Sequence, residues 1–454
     1  MKTYLTTGWT RNQHVRSEPL QRPLHERFWQ RRYQREGVSE VAGARKWFAV
    51  FALVSLLTAT AACSDDKSDN SGNTETNENG SLSDPIIIGY VLGATGWMRF
   101  YDGPALDAAR LAVDDINSAG GVLGRPLQLL QYDMKTDPPL GVNGVLEMID
   151  KGAAALIAPG DYDTAAPALT TAEENQIPII SGLGSDYKLG LFGPYSYSMG
   201  LASNVQGAAG AEWAFEEQGW DSAYVLTDVT IEITKTAGQF FLQRFDELGG
   251  EIVGADTFLN DDASIGAQIT SLQNASSQPD FIYMSSFIPG SASAIKQIRD
   301  AGIDLPILCQ ISCGEGVEWV KGIPGLSNFF YTNMGFVYGE GDPNAKVWEL
   351  AQRFEQAYGS PMELSLTLGG YASVEMLAYA IEEAGSTDSE AIKQALDGAQ
   401  GVDTVLGPVS FTPEFHMMYD IAVRIGSIVD GEQTFVTTWT PNEVNLTGEN
   451  LPEP

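Results

Sequence analysis

The chain has 454 residues, 43% of them hydrophobic, with 26 Lys+Arg against 59 Asp+Glu and a formal net charge of −33. The first 63 residues hold 10 of the basic and 4 of the acidic groups, so the remainder carries 16 against 55, a net of −39. Phosphate contacts need clustered Lys and Arg, so this balance excludes nucleic acid as a partner. Acidity on this scale favours solubility and steers cations without choosing a fold.

Residues 1–62 have the character of a leader and signal peptide. Arg45-Lys46 precede an apolar run at 47–57, which gives way to small residues at 58–62. A basic flank, a short apolar core and a small-residue exit make an export signal rather than a membrane span. Cys63 follows Thr60-Ala61-Ala62 and resembles the acylated cysteine of a bacterial lipobox, with Thr60 where Leu is usual. Export with a lipid anchor at Cys63 is therefore expected, placing the protein in the periplasm or at the cell surface. The segment that completes 63–84, SDDKSDNSGNTETNENGSLSD, is nearly free of apolar residues and reads as a flexible acidic tether. The roughly 370 residues beyond it suit two lobes better than one core. No later run is long and charge-free enough to cross a bilayer.

From 86 to 133 the pattern is βαβ. Ile86–Leu92 is a continuous apolar run, the mark of a strand covered on both faces. A loop with Trp97, Phe100 and Tyr101 follows, then Pro104, expected in a first helical turn. Ala108, Leu111, Ala112 and Ile116 recur at helical spacing, and Gly120-Gly121 ends the helix. Ligands in such sheets sit at the carboxyl ends of the strands. Aromatic residues in place of phosphate-binding glycines favour a stacking or apolar-contact ligand over a nucleotide.

Strand-like runs then alternate with helical ones: 153–158, helix near 164–176, 177–181, 223–227, helix at 236–248, Glu251–Phe258, Phe281–Ser285, helix at 292–301 and 305–309. The alternation argues α/β architecture with parallel sheets. Helices are expected at 346–358 and 371–384, then a hairpin pairing 409–411 with 420–429, then a frayed tail at 439–454.

Catalytic patterns are missing from the sequence. The body has one histidine, His416, and no HExxH, GxSxG or GxxxxGK[ST] stretch, so no enzyme and no cofactor or metal is expected. Cys309 and Cys313 are the only cysteines beyond Cys63. In an oxidising compartment a disulfide is the simplest pairing, provided the chain turns between them; two buried thiols is the other possibility.

The chain resembles the type I periplasmic solute-binding proteins of the branched-chain amino acid and amide group. The resemblance rests on Tyr101, Gly103, Ala108, Ala112, Ile116, Asn117, Gly120, Gly121 and Gly124 at the start, the AxxAxxPxL-like helix after Pro159, IPIIS, PDFIYMSSF, and VDTVLGPVSF at 402–411. It implies two Rossmann-like α/β lobes with parallel sheets, joined by a three-segment hinge. Lobe 1 would hold 85–203 and 335–408, lobe 2 would hold 204–334 and 409–438. It also implies capture of an amino acid or related small polar or amide compound, delivery to ABC permease and ATPase subunits, and a monomer. The alternative in a different class is a receptor or sensor module that signals to a membrane partner.

Carried over residue by residue, the resemblance gives Ser185 a hydroxyl on the ligand, Leu183 a backbone carbonyl, and Tyr101 an aromatic contact. Tyr162 stands where serine is common, Phe287 where tyrosine is frequent, and Ile233 or Glu232 where another tyrosine occurs. No acid near Ile311-Ser312 matches the usual partner of an ammonium group. Trp97, Tyr101, Asp161, Tyr162, Leu183, Ser185 and Phe287 are the expected ligand-binding set. Asp161, Asp163 and Glu232 would suit a cationic or amide-bearing ligand, and Trp97, Phe100 and Tyr162 a flat one.

Overall fold

The computed structural model describes residues 84–454. The leader, Cys63 and all of the tether but its last residue lie outside the described residues.

The first lobe begins with β1 (Ile86–Leu92), α1 (Arg99–Ser118), β2 (Leu127–Asp133), α2 (Pro138–Asp150), β3 (Ala155–Ala158), α3 (Tyr162–Glu174), β4 (Ile179–Ser181) and β5 (Ser196–Leu201). These strands pair in parallel. β1, β3 and β4 are almost wholly buried, as parallel strands covered on both faces must be. α1 starts earlier than expected, so Phe100 and Tyr101 lie in its first turn and Pro104 is its sixth residue. The cause is local: the amides of Tyr101 and Asp102 already donate to the Met98 carbonyl at 2.9 and 2.8 Å.

The second lobe is built from α4 (Ser203–Glu212), β6 (Ser222–Asp228), α5 (Glu232–Glu247), β7 (Glu251–Phe258), α6 (Gly266–Gln273), β8 (Phe281–Ser285), α7 (Gly290–Asp300), β9 (Ile307–Cys309), α8 (Ile311–Gly314) and β10 (Phe329–Asn333). The chain then runs through α9 (Ala345–Tyr358), α10 (Leu368–Ala384) and α11 (Ser389–Asp397), with α10 lying along α1. It ends with β11 (Val402–Thr404), β12 (Gly407–Val409), β13 (Met417–Met418), β14 (Val423–Val429) and β15 (Glu432–Trp439). The larger sheets have orders β13-β5-β4-β3-β1-β2 and β15-β14-β10-β9-β8-β6-β7. The chain therefore passes between them three times, after β5, after β10 and between β13 and β14.

Three expectations about the C-terminal part need correction. The segment 409–411 does not pair with 420–429. β12 closes a small hairpin with β11, and β14 pairs with β10 and β15. The boundary at 408/409 is also displaced, because β13 adds to the first sheet beside β5. Finally, the tail is docked rather than frayed. The Asn204 side chain donates to the Asn445 carbonyl at 3.0 Å and the Gln239 side chain to the Pro452 carbonyl at 2.8 Å.

Between β9 and α8 the Gln310 side chain accepts the Ser312 amide at 2.8 Å and starts a single helical turn. That turn brings the Cα atoms of Cys309 and Cys313 to 5.8 Å, and their sulfurs are bonded as a disulfide.

Candidate functional site

Six segments at the carboxyl ends of strands, three from each lobe, face one cleft. A cavity that takes in about 460 Å³ of empty space, open solvent included, is walled by Trp97, Met98 and Tyr101 after β1, Gly160, Asp161 and Tyr162 after β3, and Leu183, Ser185 and Asp186 after β4. Lobe 2 contributes Ile231, Ile233, Phe287 and Ser312, and Leu366 completes the wall. All seven residues of the expected set meet on this wall. Phe100 does not; it is 40% exposed on the outer side of α1. Asp163 and Glu232 do not line it either, because they are used between the lobes. Ile233, named only as the replacement for a tyrosine, is a wall residue. Asp186 and Met98 escaped the sequence reasoning. The signal for Asp186 was its place directly after Ser185 in the same loop.

Each loop is held by its own hydrogen bonds. The Ser181 hydroxyl accepts the Gly184 amide at 3.0 Å, and the Ser198 hydroxyl donates to the Gly184 carbonyl at 2.6 Å. Asp102, fully buried, accepts the Gly93 amide at 2.7 Å with one oxygen and the Gly160 amide at 3.1 Å with the other. One carboxyl group thus ties the loop after β1 to the loop after β3. Asp161 caps α3, its Oδ2 accepting the Thr164 amide at 3.1 Å. Its Oδ1 and the Tyr101 hydroxyl are buried without a hydrogen-bond partner among the described residues.

The lobes touch around this cavity. The Trp97 and Phe287 rings approach to 6.3 Å between centroids. Asp163 accepts the Glu232 amide at 3.0 Å, and Lys188 pairs with Glu232 at 2.5 Å. Lys188 also lies 5.7 Å from the Tyr162 ring. The ion pair is partly exposed and is worth at most about 1 kcal/mol. A better buried link runs through the hinge. The Thr236 hydroxyl of α5 donates to Asp186 at 2.8 Å, and the Ser203 amide, at the first crossing, donates to the Ser185 carbonyl at 2.7 Å. The cleft loop and the hinge are therefore hydrogen-bonded neighbours.

Electrostatically the site is acidic. Burial pushes the Asp161 carboxyl up to about 8, helped by Asp163. Burial likewise holds Asp102 at about 7 and Glu315 at about 8, against the pull of their hydrogen bonds. Asp186 is held at about 6, burial again outweighing the Lys188 amide and the Thr236 hydroxyl. Glu315 sits three residues beyond Ser312 but does not line the cavity; its carboxylate is bonded to the Ser365 hydroxyl and the Leu366 amide. For these groups the folded chain binds more protons than the unfolded chain between pH 4 and the raised values. Stability from this source therefore falls as pH rises through that window. Glu232, where Lys188 and Lys235 outweigh burial, is lowered and works the other way, but it is a single, partly exposed group. The unliganded protein is expected to melt at a higher temperature at pH 5 than at pH 8, and charge repulsion adds in the same direction. A scanning calorimetry series with an equal or lower Tm at pH 5 would contradict the buried state of these carboxyls.

Comparison with known proteins agrees with this architecture. A family model for periplasmic binding proteins matches residues 85–432. The chain is 25% identical over 338 residues to the Leu/Ile/Val-binding protein BraC3 of Rhizobium johnstonii, covering 72% of this chain and 87% of that one. The branched-chain amino acid transporter substrate-binding protein LivJ of Streptococcus pneumoniae, solved with isoleucine, superposes with a TM-score of 0.67 at 21% identity, covering 78% of this chain and 99% of that one. A solute-binding protein of an ABC transporter from Rhodopseudomonas palustris BisB5, solved with 3,4-dihydroxybenzoic acid, gives 0.68 at 17% identity, covering 81% and 99%. These relatives are solute-binding proteins and not enzymes. With two α/β lobes, three crossings and a family match over most of its length, this chain belongs to the periplasmic binding protein family.

Proposed function

We propose that this protein is the extracytoplasmic solute-binding component of an ABC importer, capturing an amino acid or a related small polar or amide compound between its lobes. The observation that carries the proposal is the convergence of seven residues, from loops of both lobes, on one cavity. Hinge closure around a small solute is the motion such an arrangement serves. In this reading Tyr101, Asp161, Leu183 and Ser185 supply polar contacts, and Trp97, Tyr162 and Phe287 supply ring faces. Acylation at Cys63 would hold the protein at the membrane beside its permease. No observation favours the receptor alternative.

The Tyr101 hydroxyl makes the test clean. It has no partner among the described residues, so Tyr101→Phe should leave the unliganded Tm unchanged. A thermal-shift panel of amino acids, amides, amines and aromatic acids should yield a saturable stabiliser of the wild type. Binding of that compound should weaken about two- to tenfold in Tyr101→Phe, as expected for one hydrogen bond. A panel without any stabiliser, or a hit whose affinity ignores both Tyr101→Phe and Ser185→Ala, would remove the cavity as the binding site.

A further inference from the structure

The relatives named above include proteins solved with an amino acid or an aromatic acid, ligands that carry a carboxylate. The charged side chains of this cavity are acids. Its wall contains Asp161 and Asp186 and no Lys or Arg. The nearby cation, Lys188, is occupied by Glu232. The amino end of α3, which by its backbone dipole would attract a ligand's carboxylate, is already filled by the Asp161 carboxylate capping Thr164. A second acid, Asp163, stands in the first turn of that helix.

An independent observation points to what is missing. Asp161 is 7% exposed and Tyr101 is 9% exposed, yet Asp161 Oδ1 and the Tyr101 hydroxyl are both left without a partner. A buried carboxylate oxygen without a donor is costly, and a ligand N–H group is what would satisfy it. The rest of the wall is ring and aliphatic surface: Trp97 and Phe287 from opposite lobes, Tyr162, Ile231 and Ile233. Ring faces attract cations as well as apolar groups.

Resting on the solute-binding proposal, we infer that the ligand is a small organic cation without a free carboxylate: an ammonium or amidinium head on Asp161 and a flat or branched apolar body between Trp97, Tyr162 and Phe287. The head takes the free Oδ1 of Asp161, with the Tyr101 hydroxyl as a second partner. Asp186 adds negative potential from the loop after β4. A free carboxylate on the ligand would face these acids with no cation to offset them.

Pairs of related shape, one member with a carboxylate and the other a cation without one, test this directly. Isothermal calorimetry would compare isoleucine with 2-methylbutylamine and benzoate with benzamidine, using the full-length protein and Asp161→Asn. The amine and the amidine should each bind at least tenfold more tightly than the matched acid, and Asp161→Asn should erase most of that preference. Because burial favours the protonated Asp161 carboxyl, with Asp163, Asp186 and Asp102 raising it further, cation binding at pH 7 should release protons into the buffer. Lys188, Glu232 and Glu315 also face this region but are paired and remain in Asp161→Asn, so that variant should lose the release. An acid that binds as tightly as its cationic partner overturns the charge assignment and leaves solute binding intact. Failure of every compound in both pairs overturns the charge assignment as well, and the solute-binding proposal then stands or falls on the wider panel above.

Discussion

Glu212→Ala is expected to be among the most damaging single changes in this protein, although it lies outside the cleft. Glu212 is fully buried at the end of α4. It holds Arg244 of α5 at 2.8 Å, and it accepts the Asn442 amide at 2.7 Å, the Trp439 indole at 3.1 Å and the Glu443 amide at 3.3 Å. One carboxylate thus fastens two helices of lobe 2 to the C-terminal segment. Its removal leaves the Arg244 guanidinium, 13% exposed, with only the more exposed Glu247 and Glu443. Breaking a buried ion pair from one side costs about 3–5 kcal/mol. A fall of that size in urea-unfolding free energy is the expected result, with a smaller fall for Glu212→Gln, which keeps the volume and one acceptor. A loss below about 1 kcal/mol for Glu212→Ala would mean that the docked tail does not depend on this residue. The cleft wall does not include Glu212, so binding measured below the unfolding range should be retained.

Gly369→Ala is the second change with a large expected effect, and here the cause is purely steric. A Cβ at Gly369 would sit 1.7 Å from the Gly182 carbonyl oxygen, backbone against backbone, so neither a rotamer nor a small shift relieves it. The contact is reciprocal: a Cβ at Gly182 would lie 2.8 Å from the Gly369 carbonyl oxygen. Gly182 opens the loop that carries Leu183, Ser185 and Asp186, so α10 packs directly on the floor of the cleft loop. Overpacking of this kind costs about 1–3 kcal/mol or more. Hydrogen exchange should accelerate at the Gly184 and Ser203 amides, which report the loop's bonds to the Ser181 hydroxyl and the Ser185 carbonyl. Gly103→Ala is the matched control. It also lies in a helix, but its Cβ would meet nothing nearer than Arg99 Cγ at 3.9 Å, so it should be neutral or gain up to about 1 kcal/mol. Equal behaviour of the two variants would show that α10 can slide away from the loop freely.

The βαβ units were legible because their strands are continuous apolar runs and their helices are amphipathic. β1, β3, β7 and β8 follow those runs to within a residue or two. β5 was not legible, since SYSMGL is rich in serine and reads as a loop. Its serines are buried nonetheless, because Ser196 donates to Glu173 at 2.7 Å and Ser198 to the Gly184 carbonyl at 2.6 Å. Those partners are distant in the chain, and no local pattern announces them. The hairpin at the C-terminus was misplaced for a related reason. Residues 409–411 and 420–429 have strand character, but which strand each meets is settled by the return of the chain to the first lobe at β13.

For the site, position after the first strand picked out Trp97 and Tyr101, while Asp161, Tyr162, Leu183, Ser185 and Phe287 came from matching the chain to the family it resembles; topology places all of their loops at one end of the sheets. By itself the sequence determined the class of fold, the strong acidity and the loops that would face a ligand, since hydrophobic period and charge are properties of local stretches. Only the tertiary structure decided which polar groups are already satisfied. Asp163, Glu232 and Glu315 are used up in contacts with residues far along the chain, and Asp102 and Asp186 are buried where the loops and the hinge meet. Asp161 Oδ1 and the Tyr101 hydroxyl are left over. Whether an acid is free to meet a ligand depends on partners that chain distance hides, and that is the physical reason the sequence left cationic, amide-bearing and flat ligands open together.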